Sequence, residues 1–218
     1  MIETILLDLD GPLLDGKLRH YRCYADILAA HGYSPMPIDP YWDMKRLRKS
    51  RKEQLAVSGA EPIYDLFLSE WLERIEKPEY LALDLVQDGA LRQLQGWYGR
   101  GIKLILVTMR SSRGSLMRQL QETGLLSFLA RVIVCKHSNG REGKALEVLR
   151  EIPDLEPSKC LWIGDTEADA EGAKYLGCKC HLLSCGLRTR EYLSTLTPDY
   201  LAGNILDIDI NKVDANVA

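Results

Sequence analysis

Residues 2–12 read IETILLDLDGP. A short, largely apolar run ends here at two aspartates and a Gly-Pro pair, which is typical of a buried strand that runs into a loop. Further apolar runs follow at residues 102–107, 132–134, 161–163 and 180–183. Helical patterns alternate with these runs, and Gly101, Gly124 and Gly177 stand where a helix C-cap is expected. The alternation predicts an α/β fold with a parallel sheet and crossover helices.

Residues 15–83 interrupt this alternation with helix-like patterns and no convincing strand. The patterns are Leu18–Ala30, a basic stretch from Trp42 to Val57, and an amphipathic segment with Leu68, Trp71, Leu72 and Ile75 at helical spacing. The ends of the segment lie beside Asp15 and Asp84, so we expect it to leave and rejoin the core near the end of the first strand. The prediction is a core of residues 1–14 and 84–218 with an inserted helical domain at 15–83.

The composition indicates an ordinary globular protein. Of the 218 residues 46% are hydrophobic and 27% are charged, and the formal net charge of -3 argues against a general affinity for nucleic acid. No apolar run approaches the roughly 20 residues that span a bilayer. Six cysteines without a Cys-x-x-Cys pair suit a reduced protein. We therefore expect a cytoplasmic location, no membrane or nucleic-acid partner, and a monomer or homodimer.

Acidic side chains follow the predicted strands. Asp8 and Asp10 come after the first strand, and Asp165 follows the run at 161–163, with Asp169 four residues later. Ligands of open parallel sheets bind outside the carboxyl ends of the strands. Clustered carboxylates repel one another and need a cation, and oxygen ligands favour a hard ion such as Mg²⁺. The sequence therefore predicts a magnesium site at this edge of the sheet.

A metal-neutralised carboxylate suits phosphoryl transfer, with Asp8 as the nucleophile. Asp10 could protonate the leaving oxygen and later activate water. Thr108, at the end of the run at 102–107, and a lysine could bind the phosphoryl group. Two lysines compete for that role, and Lys144 is preferred to Lys136.

These residues resemble the four signature motifs of the haloacid dehalogenase superfamily, and the resemblance extends over nearly the whole chain. The motifs are Asp8-Leu-Asp-Gly-Pro-Leu13, the apolar run from Ile102 to Thr108, Gly143-Lys-Ala-Leu146, and Gly164-Asp165 through Asp169. The resemblance implies a Rossmann-like core with a helical cap inserted after the first motif, as in phosphoglycolate phosphatases and β-phosphoglucomutases.

The resemblance also implies roles for individual residues. Asp8 would form an aspartyl-phosphate, and Asp10 would be the general acid and base. Magnesium would be held by Asp8, the backbone carbonyl of Asp10 and Asp165, with Asp169 assisting directly or from behind these ligands. The implied activity is hydrolysis of a small phosphomonoester, a phosphorylated metabolite such as phosphoglycolate or a sugar phosphate. Asp10 disfavours dehalogenase activity, because the dehalogenase branch lacks this second acidic residue.

Pro12 departs from the pattern, because the family usually has Thr or Val at this position. A hydroxyl and a backbone N–H are thus missing from the predicted catalytic loop. This departure keeps open the alternative of a catalytically weak relative that binds phosphorylated ligands. A second alternative is a phosphomutase of the β-phosphoglucomutase type, in which a sugar hydroxyl instead of water intercepts the phosphoenzyme.

Other polar clusters have a simpler interpretation. Zinc could bind the cysteines and histidine at 178, 180, 181 and 185, but a predicted strand there favours buried, reduced thiols. The basic residues between Lys45 and Lys52 could attract an anionic substrate, although a solvated helix face is favoured. Arg110 and Arg113, just after Thr108, are further candidates for contact with the substrate.

Overall fold

The computed structural model describes residues 1–135 and 142–215. The chain forms two compact units: residues 1–14 with 86–218, and residues 15–85. We refer to them as the core unit and the inserted unit.

The strands alternate with helices along the core unit. The strands are β1 (Thr4–Leu7), β2 (Leu14–Asp15), β3 (Leu85–Val86), β4 (Lys103–Thr108), β5 (Arg131–Val134), β6 (Cys160–Gly164), β7 (Lys179–Leu183) and β8 (Tyr200–Ala202). The helices of the inserted unit are α1 (Lys17–Ala30), α2 (Ile38–Arg46), α3 (Arg51–Val57), α4 (Tyr64–Arg74) and α5 (Pro78–Leu81). Those of the core unit are α6 (Ala90–Gly99), α7 (Arg113–Glu122), α8 (Gly143–Glu151), α9 (Glu167–Leu176), α10 (Arg190–Thr195) and α11 (Ile210–Ala215).

The main sheet has the strand order β5-β4-β1-β6-β7-β8, and its neighbouring strands are parallel. From β1 the chain adds strands on one side and then crosses to β6 on the other side. This is the strand order of a Rossmann fold, and it places a topological switch point between β1 and β6. The short strands β2 and β3 pair separately.

The sheet is buried on both faces, which explains why its strands appear as continuous apolar runs in the sequence. Ile5 and Leu7 belong to one apolar cluster, whereas Leu6 between them belongs to a second cluster that includes Trp162. Helices α6, α7 and α11 contribute to the first cluster, and α8 and α9 to the second. The core unit is therefore a three-layer α/β/α sandwich, and the predicted fold class is confirmed.

The inserted unit has its own apolar core, to which α1 and α4 contribute several buried side chains and α2, α3 and α5 one each. Tyr24 and Tyr41 stack at its centre with ring centroids 4.5 Å apart. Phe67 and Trp71 pack beside them from α4. The residues of this unit bury enough apolar surface to form a compact helical unit.

Two details of the inserted unit differ from the sequence prediction. The basic stretch from Trp42 to Val57 breaks into α2 and α3, because Arg48 adopts a positive φ of 62° and Ser50 caps α3. Leu72 was predicted on the apolar face of its helix but is 70% exposed. The buried face of α4 is instead formed by Phe67 and Trp71.

All six cysteines lie within the described residues, and none forms a disulfide. Within residues 1–135 and 142–215, no helix has the length and apolar character needed to cross a membrane.

Candidate active site

The register of the sheet brings the predicted residues to one edge. Leu7 of β1 pairs with Leu106 of β4 on one side and with Ile163 of β6 on the other. Asp8 is the next residue after Leu7, while Thr108 and Asp165 lie two residues beyond the paired positions. Asp8 and Asp165 thus emerge on either side of the switch point between β1 and β6.

Asp8, Asp165 and Asp169 form a buried carboxylate cluster, in which one oxygen of each lies within 4.8 Å of the others. Asp165 and Asp169 are 0% exposed and Asp8 is 7% exposed. Burial raises the pKa of Asp8 to about 7, with Lys144 lowering it and the Asp169 and Asp10 carboxylates raising it further. Among the described residues, the positive charge at this site therefore does not neutralise the three carboxylates.

Lys144 is the cation that the structure places in the cluster. Its Nζ lies 3.0 Å from Asp8 Oδ1 and 2.7 Å from Asp169 Oδ1, and its side chain is 3% exposed. Burial opposes the charge of Lys144, but the Asp169 and Asp8 carboxylates raise its pKa above the usual value. Lys136, the competing lysine, lies outside the described residues.

Asp165 is held in a tight cradle. The backbone N–H of Leu187, in the loop after β7, donates to Asp165 Oδ2 at 2.5 Å. A Cβ atom at Gly11 or Gly186 would lie 2.2 Å or 2.0 Å from the same oxygen, so only glycine fits on either side of the carboxylate. Burial raises the pKa of Asp165 well above its usual value, and Asp8 and Asp169 act in the same direction.

Asp165 Oδ1 is buried and has no hydrogen-bond partner among the described residues. A buried carboxylate oxygen without a donor is costly unless a cation binds it. Asp8 Oδ1 accepts from the backbone N–H of Leu9 and contacts Lys144, so Asp8 also has an oxygen left for another contact. The donor set of Asp8 and Asp165 fits a divalent metal ion with oxygen ligands.

Asp169 has a different environment. Its Oδ1 accepts from Lys144 and from the indole N–H of Trp162, the latter at 3.2 Å. Its Oδ2 accepts from the backbone N–H groups of Asp165 and Thr166 and from the Thr166 hydroxyl at 2.7 Å. Both oxygens are therefore occupied, and Asp169 supports the loop that carries Asp165. The sequence left a direct or a supporting role open, and this geometry favours the supporting role.

Asp10 stands apart from the cluster. Its carboxylate forms a two-point ion pair with Arg110, with Nε to Oδ2 and Nη2 to Oδ1 both at 2.7 Å. The Asp10 side chain is 34% exposed, whereas that of Arg110 is 5% exposed. The Asp10 side chain is thus engaged by an arginine, and its predicted role as a metal ligand concerns only its backbone carbonyl.

Thr108 ends β4 with a side chain that is 1% exposed. Its Oγ1 accepts from the backbone N–H of Arg110 at 3.3 Å. Because the hydroxyl accepts this bond, its own hydrogen is free to be donated to a phosphoryl oxygen.

The turn that contains Pro12 is held by backbone hydrogen bonds of the neighbouring residues, although proline itself has no N–H to donate. Gly11 N–H donates to Leu14 O, while the N–H groups of Leu13 and Leu14 both donate to Leu9 O. Gly11 has a φ of 102°, a conformation that glycine adopts readily, and its carbonyl accepts from Gln87 Nε2 at 2.9 Å. Pro12 is therefore accommodated by a turn that needs no donor at this position.

Some residues that contribute to the site were not predicted from the sequence. The Leu187 N–H belongs to the backbone, so no residue type in the sequence indicates it. The glycine at 186 is visible in the sequence, but a single glycine does not indicate contact with a carboxylate. Arg110 was considered only as a substrate contact, and its pairing with Asp10 was not predicted. The zinc interpretation finds no support: among the described residues, the group suited to a metal ion is the aspartate cluster, and Cys178, Cys180 and His181 are buried.

A model of the haloacid dehalogenase-like hydrolase family matches residues 2–177. The chain is 25% identical over 219 residues to pyrophosphatase PpaX of Anoxybacillus flavithermus, with 95% of each chain covered. It is 23% identical to phosphoglycolate phosphatase of Rhodobacter capsulatus over 81% of this chain and 82% of that protein.

Among solved structures, a haloacid dehalogenase-like hydrolase of Streptococcus pneumoniae superimposes with a TM-score of 0.77 at 17% identity. The superposition covers 100% of this chain and 99% of that one. The structural match confirms the fold, and the family match confirms the resemblance inferred from the motifs.

Proposed function

The chain belongs to the haloacid dehalogenase-like hydrolase family, and we propose that it is a magnesium-dependent phosphatase that hydrolyses a small phosphomonoester through an aspartyl-phosphate on Asp8. Membership of this family confirms the prediction of an enzyme, at the level of a hydrolase. The substrate class, the metal and the covalent intermediate belong to the proposal.

The observation that carries the proposal is the arrangement of Asp8, Lys144 and Asp165 at the switch point of the sheet. It combines a nucleophilic carboxylate, a buried ammonium group 3.0 Å from it and a carboxylate oxygen without a donor. A phosphoryl group needs the same three elements: a nucleophile, compensation of its negative charge, and a site for the metal ion that accompanies it.

In the first half of the reaction, an Asp8 oxygen forms a bond to phosphorus as the bond to the leaving oxygen breaks. Lys144 contacts Asp8 Oδ1 at 3.0 Å, which orients the carboxylate for the attack. The Thr108 hydroxyl donates to a phosphoryl oxygen, and Asp10 gives a proton to the leaving oxygen. The alcohol product then departs.

In the second half, water attacks the phosphorus of the aspartyl-phosphate and transfers a proton to Asp10, so that Asp8 and inorganic phosphate are released. The protons balance, because Asp10 regains the one that it gave to the alcohol. Asp8 and Asp165 would hold the magnesium ion, which would supply positive charge to offset the charge of the phosphoryl oxygens.

The named relatives support the substrate class. One is called a phosphoglycolate phosphatase and another a pyrophosphatase, and each covers most of this chain. A small phosphomonoester is our leading candidate, and inorganic pyrophosphate is a second candidate suggested by the pyrophosphatase. Both are small anions that present a phosphoryl group to the same nucleophile.

The test is phosphate release from a panel containing phosphoglycolate, sugar phosphates, 4-nitrophenyl phosphate and pyrophosphate. The protein is first treated with EDTA and then assayed with and without Mg²⁺. We expect release that requires Mg²⁺ and is abolished in Asp8→Asn, since the amide is not a nucleophile. Asp154→Asn, at an exposed aspartate, makes the same chemical change and should behave as wild type.

Two further readouts separate the parts of the proposal. Mg²⁺ should raise the melting temperature of the wild type, and Asp165→Asn should lose this shift because its unpartnered oxygen is replaced.

Full turnover without a divalent ion would contradict the proposal. Conversion of a sugar 1-phosphate into the 6-phosphate without free phosphate would instead support a mutase, and ligand-induced stabilisation without any turnover would support a binding protein.

A further inference from the structure

We propose that Arg110 is a positioning residue, which holds the Asp10 carboxylate in the orientation needed for proton transfer to the leaving oxygen. This proposal rests on the phosphatase function proposed above, because it concerns the role of Asp10 in that reaction. Its geometry, however, stands on contacts within the core unit alone.

The ion pair between the two side chains is bidentate. Arg110 Nε and Nη2 each lie 2.7 Å from a different oxygen of Asp10. A planar guanidinium that grips both oxygens fixes the plane of the carboxylate as well as its distance. Lysine, with a single ammonium group on a flexible chain, cannot fix that plane.

Asp10 needs such a partner because of its position. Its side chain is 34% exposed and, among the described residues, it is not part of the buried cluster around Asp8. A partly exposed carboxylate without a firm partner would exchange between rotamers. Arg110 is 5% exposed, so the buried arginine provides a fixed support for the more exposed carboxylate.

The ion pair still leaves Asp10 able to exchange a proton. A carboxylate offers about four lone-pair sites on its two oxygens. The two bonds from Arg110 take one site on each oxygen, so by themselves they do not exclude a proton from the carboxylate. The arginine therefore orients Asp10 without blocking it.

Arg110 is itself placed by the sheet. Its backbone N–H donates to Thr108 Oγ1 at 3.3 Å, directly after β4 ends. Strand β4 pairs with β1, which leads into Asp10. The ion pair thus joins the ends of two neighbouring strands, and the sheet register sets where the carboxylate is held.

The consequence depends on the leaving group. Asp10 protonates the leaving oxygen while the Asp8–phosphorus bond forms. Alkyl alkoxides are poor leaving groups and need that proton, whereas 4-nitrophenolate is stable enough to depart without it. Loss of the positioning residue should therefore impair alkyl phosphates selectively.

The experiment measures kcat/KM of Arg110→Gln with 4-nitrophenyl phosphate and with the best alkyl phosphate of the panel. This parameter covers the steps up to departure of the leaving group, so it is insensitive to the later attack by water. For the alkyl phosphate we expect a loss of about 10- to 100-fold, whereas 4-nitrophenyl phosphate should change by less than about threefold. Arg110→Lys should restore only part of the loss.

Two controls make the test specific. Arg118→Gln removes the same charge from an exposed side chain on α7, and should leave the kcat/KM of both substrates unchanged. In an Asp10→Asn background, adding Arg110→Gln should cause no further loss with the alkyl phosphate, because the residue acts through Asp10. Circular dichroism and melting of each variant verify folding.

An equal loss with both substrates, or a change confined to KM, would overturn the positioning role and assign Arg110 to substrate binding or to structure. An additive loss in the Asp10→Asn background would overturn it as well. Failure of the wild type to hydrolyse any substrate is a separate outcome, because it would overturn the phosphatase proposal itself and the role of Arg110 with it.

Discussion

Replacing His181 by leucine should make the protein less sensitive to acid. Relative to the wild type, the free energy of unfolding of the variant should be higher at mildly acidic pH than at neutral pH. His181 on β7 is 5% exposed, and its ring stacks on Tyr200 with centroids 5.4 Å apart. Neither ring nitrogen has a hydrogen-bond partner among the described residues. Burial lowers the pKa of His181 from 6.5 to about 4, with the Asp207 carboxylate acting in the opposite direction.

The sign follows from the direction of this shift. Below pH 6.5 the unfolded chain binds a proton at this histidine, whereas the folded protein binds it only near pH 4. The contribution of His181 to stability is therefore complete above pH 6.5 and is lost as the pH falls towards 4. The full shift corresponds to about 3 kcal/mol, of which about 2 kcal/mol is lost by pH 5.

The assay is urea denaturation of the wild type and His181→Leu at pH 8 and pH 5, followed by tryptophan fluorescence. Any packing defect of the leucine is the same at both pH values and cancels in the comparison. The variant should gain about 2 kcal/mol in the free energy of unfolding relative to the wild type on going from pH 8 to pH 5. His31→Gln, which removes a histidine that contacts Glu70 at 2.7 Å, should not reproduce this gain. An unchanged difference between wild type and His181→Leu at the two pH values would refute a buried, neutral His181.

Two more substitutions probe the site and the inserted unit. In Gly186→Ala the new Cβ would lie 2.0 Å from Asp165 Oδ2, so the carboxylate must move, and we expect Mg²⁺-dependent phosphate release to fall by about 100-fold or more. Arg19→Met leaves Asp84, whose side chain is 0% exposed, without the guanidinium that lies 2.7 Å away. The free energy of unfolding in urea should fall by about 3 to 5 kcal/mol, because a buried charge loses its partner.

Each of these substitutions has a matched control. Gly96→Ala adds the same methyl group at a helix position where, apart from chain neighbours and the helix's own backbone, no atom of the described residues lies within 4 Å. This variant should leave phosphate release unchanged. Arg22→Met breaks an exposed pair with Asp26 and should leave the free energy of unfolding nearly unchanged. Equal activity of Gly186→Ala and wild type would show that the cradle around Asp165 tolerates a side chain. Equal stability of Arg19→Met and Arg22→Met would show that burial does not strengthen the first pair.

The main features of the fold could be predicted because they are local properties of the chain. Strands β1, β4, β6 and β7 are apolar runs that are mainly buried, and β5 is a shorter apolar run. The glycines at 101, 124 and 177 all adopt a positive φ. Strand β8 could not be predicted in this way. It has only three residues, two of them partly exposed, so it shows neither a continuous nor an alternating pattern.

Contacts between residues far apart in the chain could not be predicted from the sequence. The Arg110–Asp10 pair joins residues 100 positions apart, and no spacing rule indicates which of the nearby arginines reaches the carboxylate. Leu72 shows the same limit within one helix. Its helical spacing predicts that it is buried in the same apolar segment as Trp71. In the structure Trp71 faces the apolar core of the inserted unit, whereas Leu72 faces solvent.

The motif from Gly164 to Asp169 contains two aspartates, Asp165 and Asp169. The number of hydrogen-bond donors around each carboxylate indicates which one has an oxygen left for a metal ion. Asp169 Oδ1 already has two donors and Oδ2 has three, so a metal ion would have to displace one of them. Among the described residues, Asp165 has one donor on Oδ2, the Leu187 N–H, and none on Oδ1. The carboxylate that the fold leaves incomplete is the one suited to bind a cation, and the complete one fixes its position and that of Lys144.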